Sequence, residues 1–248
     1  MPGKTVTGWL AGLALAPLTG SVSAVRRSRM FHPRGVLYRA EVEAAPASSA
    51  LAGLASALAG PALVRWSSAW WKRGERTDVL GCAIRFGSDP LHAAPQPGDQ
   101  DLLLATIRRP WSMAFAPWTT DFHDFLANDY YGVSPFQVGT RRVEWRLAPE
   151  REAPPGPTRS ERLERAVRAG EASLRLELAA YSGPLFPPVG ESFRSVVQLH
   201  LREPVELDQE ALRFDPFRDG RGITPVGFVH SMRKLTYLAS QRARPRHR

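Results

Sequence analysis

The chain has 248 residues with one cysteine, 33 basic against 24 acidic side chains, and a formal net charge of +9. That length suits one large domain with a full core rather than two small ones. The lone Cys82 excludes an internal disulfide framework and a thiolate metal cluster, and its apolar surroundings read as a packed core thiol. The basic excess is nearly all arginine, concentrated around residues 26–29 and in the last few residues. Such an excess can serve an anionic partner such as nucleic acid or a membrane. We read it instead with the site residues described below, and expect no nucleic-acid partner.

In chain order, residues 1–28 come first, as an N-terminal helical segment. Within them, residues 1–24 have one positive charge, an apolar centre broken by Gly12 and Pro17, and small residues before Val25. The outline is that of a secretory signal, but a helix packed outside the domain explains the same residues and gives a cytoplasmic location, with secretion as the other reading. No segment is long and apolar enough to be read as a transmembrane helix. The predicted strands are short and widely distributed: 35–42, 63–67, 81–86, 101–107, 143–147, 174–181 and 196–201. Several alternate apolar and polar residues, as in V-Q-L-H-L and L-R-L-E-L, so each has one buried face. Such strands separated by loops suggest a closed antiparallel barrel. Residues 47–59 read as a helix, and 160–172 as a second with Ser160 at its N-cap. Loops at 90–100 and 148–159 are rich in Pro, Gly and charge. There is no internal repeat and no second domain, so residues 29–248 form one unit.

The last sixteen residues, R-K-L-T-Y-L-A-S-Q-R-A-R-P-R-H-R, carry the most chemistry. On a helix ending near Pro245, Arg233, Tyr237 and Arg244 share one face. An arginine one turn before a tyrosine favours the phenolate. A phenolate ligates ferric iron. An amphipathic helix with a basic outer face explains the same residues.

This segment resembles the proximal helix of haem catalases, R-x-F-x-Y-x-D-(T/A)-(H/Q)-R-x-R, with Arg233, Tyr237, Gln241, Arg242 and Arg244 on its R, Y, H/Q, R and R. The lead-in L-R-F-D-P-F-R-D-G-R-G-I-T-P (residues 212–225) looks like A-F-x-P-x-x-x-x-P-G-I-x-P-S. R-M-F-H-P-R-G-V-L-Y-R-A-E-V (29–42) looks like the distal-histidine segment. L-V-R-W-S-S (63–68), L-G-C-A-I-R-F (80–86) and D-L-L-L-A-T (101–106) are similar to F-V-R-F-S-T, R-G-F-A-V-K-F and D-L-V-G-N-N. The matches are individually short but collinear.

The resemblance implies an α+β, single-domain, catalase-like antiparallel β-barrel of about eight strands with flanking helices, in a chain about half as long as a full catalase. It also implies haem b, with Tyr237 as the iron ligand supported by Arg233. Arg29, Arg65 and Arg244 would hold the propionates, where guanidinium stays charged and pairs bidentately with carboxylates. His32 would be the distal acid–base group, Ser67 its hydrogen-bond partner, and Phe122 an aromatic neighbour of the haem, with Phe125 a weaker match. Core packing explains Phe122 equally well.

One departure matters for chemistry. Ala105 stands where catalases carry the distal asparagine, and a slip bringing in Thr106 would turn its side chain to the other face. The expected activity is therefore oxidation using hydrogen peroxide or an organic hydroperoxide, with an organic reductant or lipid hydroperoxide as second substrate, more peroxidase than catalase. Three other readings stay open: a hydroperoxide isomerase or dehydratase of the allene oxide synthase type, a haem carrier or sensor without turnover, and a haem-free interaction domain. A homo-oligomer is also open. No nucleophile elbow, P-loop, dinucleotide fingerprint or zinc-type histidine spacing occurs.

Overall fold

A computed structural model describes residues 35–46, 49–71, 74–87, 89–132, 134–183 and 192–227. The predicted N-terminal helical segment, residues 29–34 of the distal-histidine segment and the proximal helix, with Arg29, His32, Arg233, Tyr237 and Arg244, lie outside the described residues.

Ten strands make one antiparallel sheet: β1 (Gly35–Ala44), β2 (Gly60–Ser68), β3 (Leu80–Phe86), β4 (Gln100–Ala105), β5 (Tyr130–Tyr131), β6 (Phe136–Val138), β7 (Arg141–Pro149), β8 (Ser173–Ala180), β9 (Arg194–Pro204) and β10 (Ile223–Pro225). The order is β10-β6-β7-β5-β4-β3-β2-β1-β9-β8, and β8 also pairs with β7. That last pairing closes an eight-stranded barrel, from which β6 and β10 extend beside β7. All seven predicted strands are present. The one predicted to reach Ile107 stops at Ala105, where the chain turns into the 3-10 turn at Pro110–Ala114.

An eight-stranded barrel is just wide enough for side chains to fill. Alternate residues from all the long strands do so, including Val64 and Trp66, Cys82 and Ile84, Trp145 and Leu147, Leu174 and Leu176, and Val197 and Leu199. Trp66 makes an edge contact with Tyr130 at 5.0 Å and lies 5.6 Å from Phe125. Cys82 is buried here, and burial pushes its thiol pKa well up. It is a packed core thiol.

Helix α1 (Ser49–Leu58) bridges β1 and β2 and packs Ala55 and Leu58 on the barrel core. Helix α2 (Ala116–Thr119) is a single turn. Helix α3 (Arg159–Arg168) buries Leu163, Ala166 and Val167. Its cap is Thr158, not Ser160: the Thr158 hydroxyl accepts the Glu161 N–H at 3.2 Å and donates to the Glu161 carboxylate at 3.1 Å. The reciprocal partner three residues along decides the start. The helix ends well before residue 172, because Gly170 takes a φ of 72° and the N–H groups of Gly170 and Glu171 bond back to Val167 and Ala166. Left-handed glycine closes the last turn cheaply.

A second, smaller apolar layer lies on the outside of the barrel. Leu212 and Phe214 cover Leu37 and Leu63, with Val205 and Leu207 against them. This return segment is clamped by a buried ion pair. Arg85 and Asp101, opposite each other on β3 and β4, bond at 2.9 and 3.3 Å with no solvent exposure of either side chain. Asp101 also accepts the Asp215 N–H at 2.7 Å, and Arg85 donates to the carbonyls of His92 (2.6 Å) and Arg213 while lying 4.8 Å from the Phe214 ring. The pair thus fastens residues 212–215, the predicted lead-in to the proximal helix, onto the sheet.

Candidate functional site on the outer barrel face

Because Val64, Trp66, Cys82 and Leu104 point inward, the alternating residues of the same strands point outward. Register then decides what they meet. Gly35 pairs with Ser67, Ser67 with Gly81, Gly81 with Ala105, and Ala105 with Tyr131. Four small residues therefore form a continuous row across β1 to β4, closed at one end by a tyrosine. The next row along is Leu37, Arg65, Ala83 and Leu103. Two of the predicted site residues, Ser67 and Arg65, thus share one face and one neighbourhood.

Arg65 is 3 % exposed. Its Nε donates to the Gln209 side-chain oxygen at 3.2 Å, and the Gln209 amide donates in turn to the Gly35 carbonyl at 3.1 Å. A Cβ on Gly35 would stand 2.9 Å from the Arg65 Cζ and Nε and 2.4 Å from the Trp66 carbonyl oxygen. Glycine at 35 is what lets the guanidinium lie back across β1. Ser67 is also buried, with its hydroxyl 3.5 Å from the Gly81 carbonyl. Gln209 has no signature in the sequence, since it sits in a loop 144 residues from Arg65 and only the return of that loop brings it in.

Thr106 does not replace the missing amide. Its hydroxyl accepts the Leu80 N–H at 3.1 Å and the Thr120 hydroxyl at 2.8 Å. The row therefore carries the Ala105 methyl. Phe122 stands apart: its half-buried ring lies 4.2 Å from the His123 ring, and its carbonyl accepts from Arg159 at 2.8 Å. Phe125 belongs to the barrel core.

Beyond Ala105, Tyr131 begins a charged network. Arg108 lies 5.4 Å over its ring, its hydroxyl donates to Asp129 at 3.2 Å, and burial, followed by the Asp129 charge, raises its pKa. Arg146 binds Glu177 at 2.7 Å and Asp129 at 3.3 Å. A cleft of about 570 Å³ opens here, between Thr106, Arg108, Tyr131, Asn128 and Glu150, within the size range of small-molecule sites.

In residue type, the described part of this face suits a flat dianionic macrocycle such as haem. The row from Gly35 to Ala105 offers no bulky side chain, and a buried guanidinium, the group that pairs with carboxylates, stands one row away.

No protein-family model and no curated protein matches the chain. Among solved structures, it is similar to a fungal catalase at 15% identity and TM-score 0.64, over 90% of this chain and 61% of that one. A bacterial catalase gives 14% and 0.64, over 92% and 60%. The chain thus spans about three-fifths of the length of each. At that identity the likeness is one of fold, and the closed eight-stranded barrel described above is a catalase-like barrel.

Proposed function

We propose that the chain binds haem b on the outer face of β1–β4 and uses hydrogen peroxide or an organic hydroperoxide as oxidant, with oxidation of a second substrate favoured over oxygen release. The observation that carries this reading is the buried Arg65 beside the small-residue row Gly35–Ser67–Gly81–Ala105, on a catalase-like barrel. In this reading Arg65, with Arg29 and Arg244, pairs with the propionates, and Tyr237 supplies the iron ligand with Arg233 stabilising its phenolate. Bound haem supplies redox chemistry at iron. The chain's own part is proton handling: Ser67 fixes the tautomer of His32, and His32 takes a proton from one peroxide oxygen and returns it to the other. Phe122 is a weaker member of the set, because its contacts are with His123 and Arg159.

The methyl of Ala105 favours a second reading, rearrangement or dehydration of an organic hydroperoxide, because neither reaction needs a polar donor to hold a second peroxide molecule. The cleft beside Thr106 and Tyr131 has room for such a substrate.

The test is haem titration of the purified protein, followed by peroxide. A Soret band that is lost in Tyr237→Phe and weakened in Arg65→Ala, with donor oxidation abolished in His32→Ala, is the expected result. A spectrum with no haem band rejects the reading in favour of an interaction domain. Haem binding without turnover selects a carrier or sensor.

A further inference from the structure

The described chain exposes five large apolar side chains: Trp70, Trp71, Met113, Phe115 and Trp118, at 40, 40, 50, 63 and 75 % exposure. All five belong to one region. Trp70 and Trp71 follow β2, and Met113, Phe115 and Trp118 lie on or between the helical turns Pro110–Ala114 and Ala116–Thr119 that follow β4. Trp70, Trp71, Met113 and Trp118 line a shared shallow groove with Pro117. Single exposed hydrophobes are ordinary; gathering every large one into one patch marks an interaction surface.

The chemistry of the patch is specific. Three of its five members are tryptophans, which combine an apolar body with a polar N–H and suit the boundary between lipid tails and headgroups. The charge around them is basic. The stretches 70–77 (W-W-K-R-G-E-R-T) and 110–119 (P-W-S-M-A-F-A-P-W-T) contain three basic residues and one acidic one. Exposed Arg76 stacks over Trp71 at 5.2 Å. The one acid, Glu75, is turned inward, bonding the Arg159 N–H and the His123 ring. The described patch therefore presents indoles and the exposed Arg76, with no outward carboxylate among its described residues, on a chain of net charge +9.

We infer that this face docks onto an anionic lipid surface, with Trp118 and Phe115 as the inserting side chains and Arg76 on the headgroups. Apolar burial and headgroup attraction act together in such monotopic contacts. The patch adjoins the outer row: Ala69, Val79, Ile107 and Ala116 form a small core beneath it, against which Ala105 packs. A docked chain therefore holds the Ala105 end of the row close to the bilayer. The docking itself does not depend on haem.

The experiment uses the full chain with vesicles of phosphatidylcholine alone and of phosphatidylcholine mixed with phosphatidylglycerol. Expected results are co-sedimentation with the anionic vesicles, a blue shift of tryptophan emission, and quenching by lipids brominated along their acyl chains. Phe115→Ser with Trp118→Ser should weaken vesicle binding by at least about tenfold, and the conservative Trp118→Phe should keep most of it. Both positions are well exposed, so an unchanged thermal transition checks that the variants fold; quenching of the wild type reads insertion without any substitution. Failure to bind anionic vesicles overturns the inference. So does binding that survives the double substitution, which assigns it to the basic chain ends, or a wild-type dimer that the substitution converts to a monomer, which assigns the patch to a second copy.

Discussion

The guanidinium of Arg65 lies across the Cα of Gly35, so closely that a methyl group at residue 35 would meet it at 2.9 Å. The same methyl would meet the Trp66 carbonyl oxygen at 2.4 Å, and a backbone oxygen inside a sheet has little room to yield. Gly35→Ala is expected to destabilise the fold by about 1–3 kcal/mol, the range for overpacking, and to displace Arg65. If the haem reading holds, Arg65→Ala removes charge-assisted hydrogen bonds worth about 1.5–3 kcal/mol, so haem affinity should fall about tenfold to hundredfold. Urea unfolding and haem titration of both variants decide this. A Gly35→Ala protein with wild-type midpoint and affinity contradicts the packing argument.

The Arg85–Asp101 pair is stabilising only as a pair. Asp101→Ala leaves a buried guanidinium without its carboxylate and should cost about 3–5 kcal/mol. Arg85→Met combined with Asp101→Leu should recover most of that loss, since an apolar pair carries no desolvation penalty. The same denaturation curves check both. A double variant as unstable as the single one would mean that the Asp215 and Arg213 backbone bonds, not the charges, carry the clamp.

Tyr38 is 3 % exposed, and burial, followed by the Glu164 carboxylate, pushes its pKa up to about 12, with Arg168 opposing. A phenol whose folded pKa exceeds its unfolded value of about 10 gives its full contribution below pH 10. That contribution is lost as the pH rises through 12. The loss amounts to about 2–3 kcal/mol across that window. Stability measured from pH 9 to 12 should fall in the wild type and fall less steeply in Tyr38→Phe. Parallel curves would show that another group governs the alkaline limb.

Ala105→Asn restores an amide to the outer row opposite Gly81. If the haem reading holds, oxygen release should rise relative to donor oxidation, by up to the factor of about 10²–10³ associated with one preorganised donor. Oxygen electrode and dye oxidation assays on the two proteins make the comparison. A wild type that already releases oxygen as fast as it oxidises donors removes the role assigned to Ala105.

The long strands were legible because each places its apolar residues at every second position. β5, β6 and β10 were not: strands of two or three residues have no period, and pairing with β7 or with each other creates them. Arg65 and Ser67 belong to one sequence motif, and register shows why both lie on one face. Gln209 and the Arg85–Asp101 clamp escaped because they depend on loops returning over the sheet. The tryptophans at 70, 71 and 118 carry no sequence mark of exposure, since indole is as suited to a core as to a surface. Thr158 was missed as a cap because Ser160 is an equally acceptable cap residue; the partner at Glu161 chose between them.

The barrel joins its first strand to its ninth. β1 pairs with β9, some 160 residues away, along most of its length. Non-local pairing of this kind makes folding slow, because a long loop must be closed before the contacts that reward it can form. Until residues 194–204 have emerged during synthesis, β1 holds a free row of backbone donors and acceptors beside an apolar face. Such an edge invites pairing with another chain. Closing the seam is thus the step at which folding yield is won or lost, and truncation ahead of β9 leaves a sheet that cannot close.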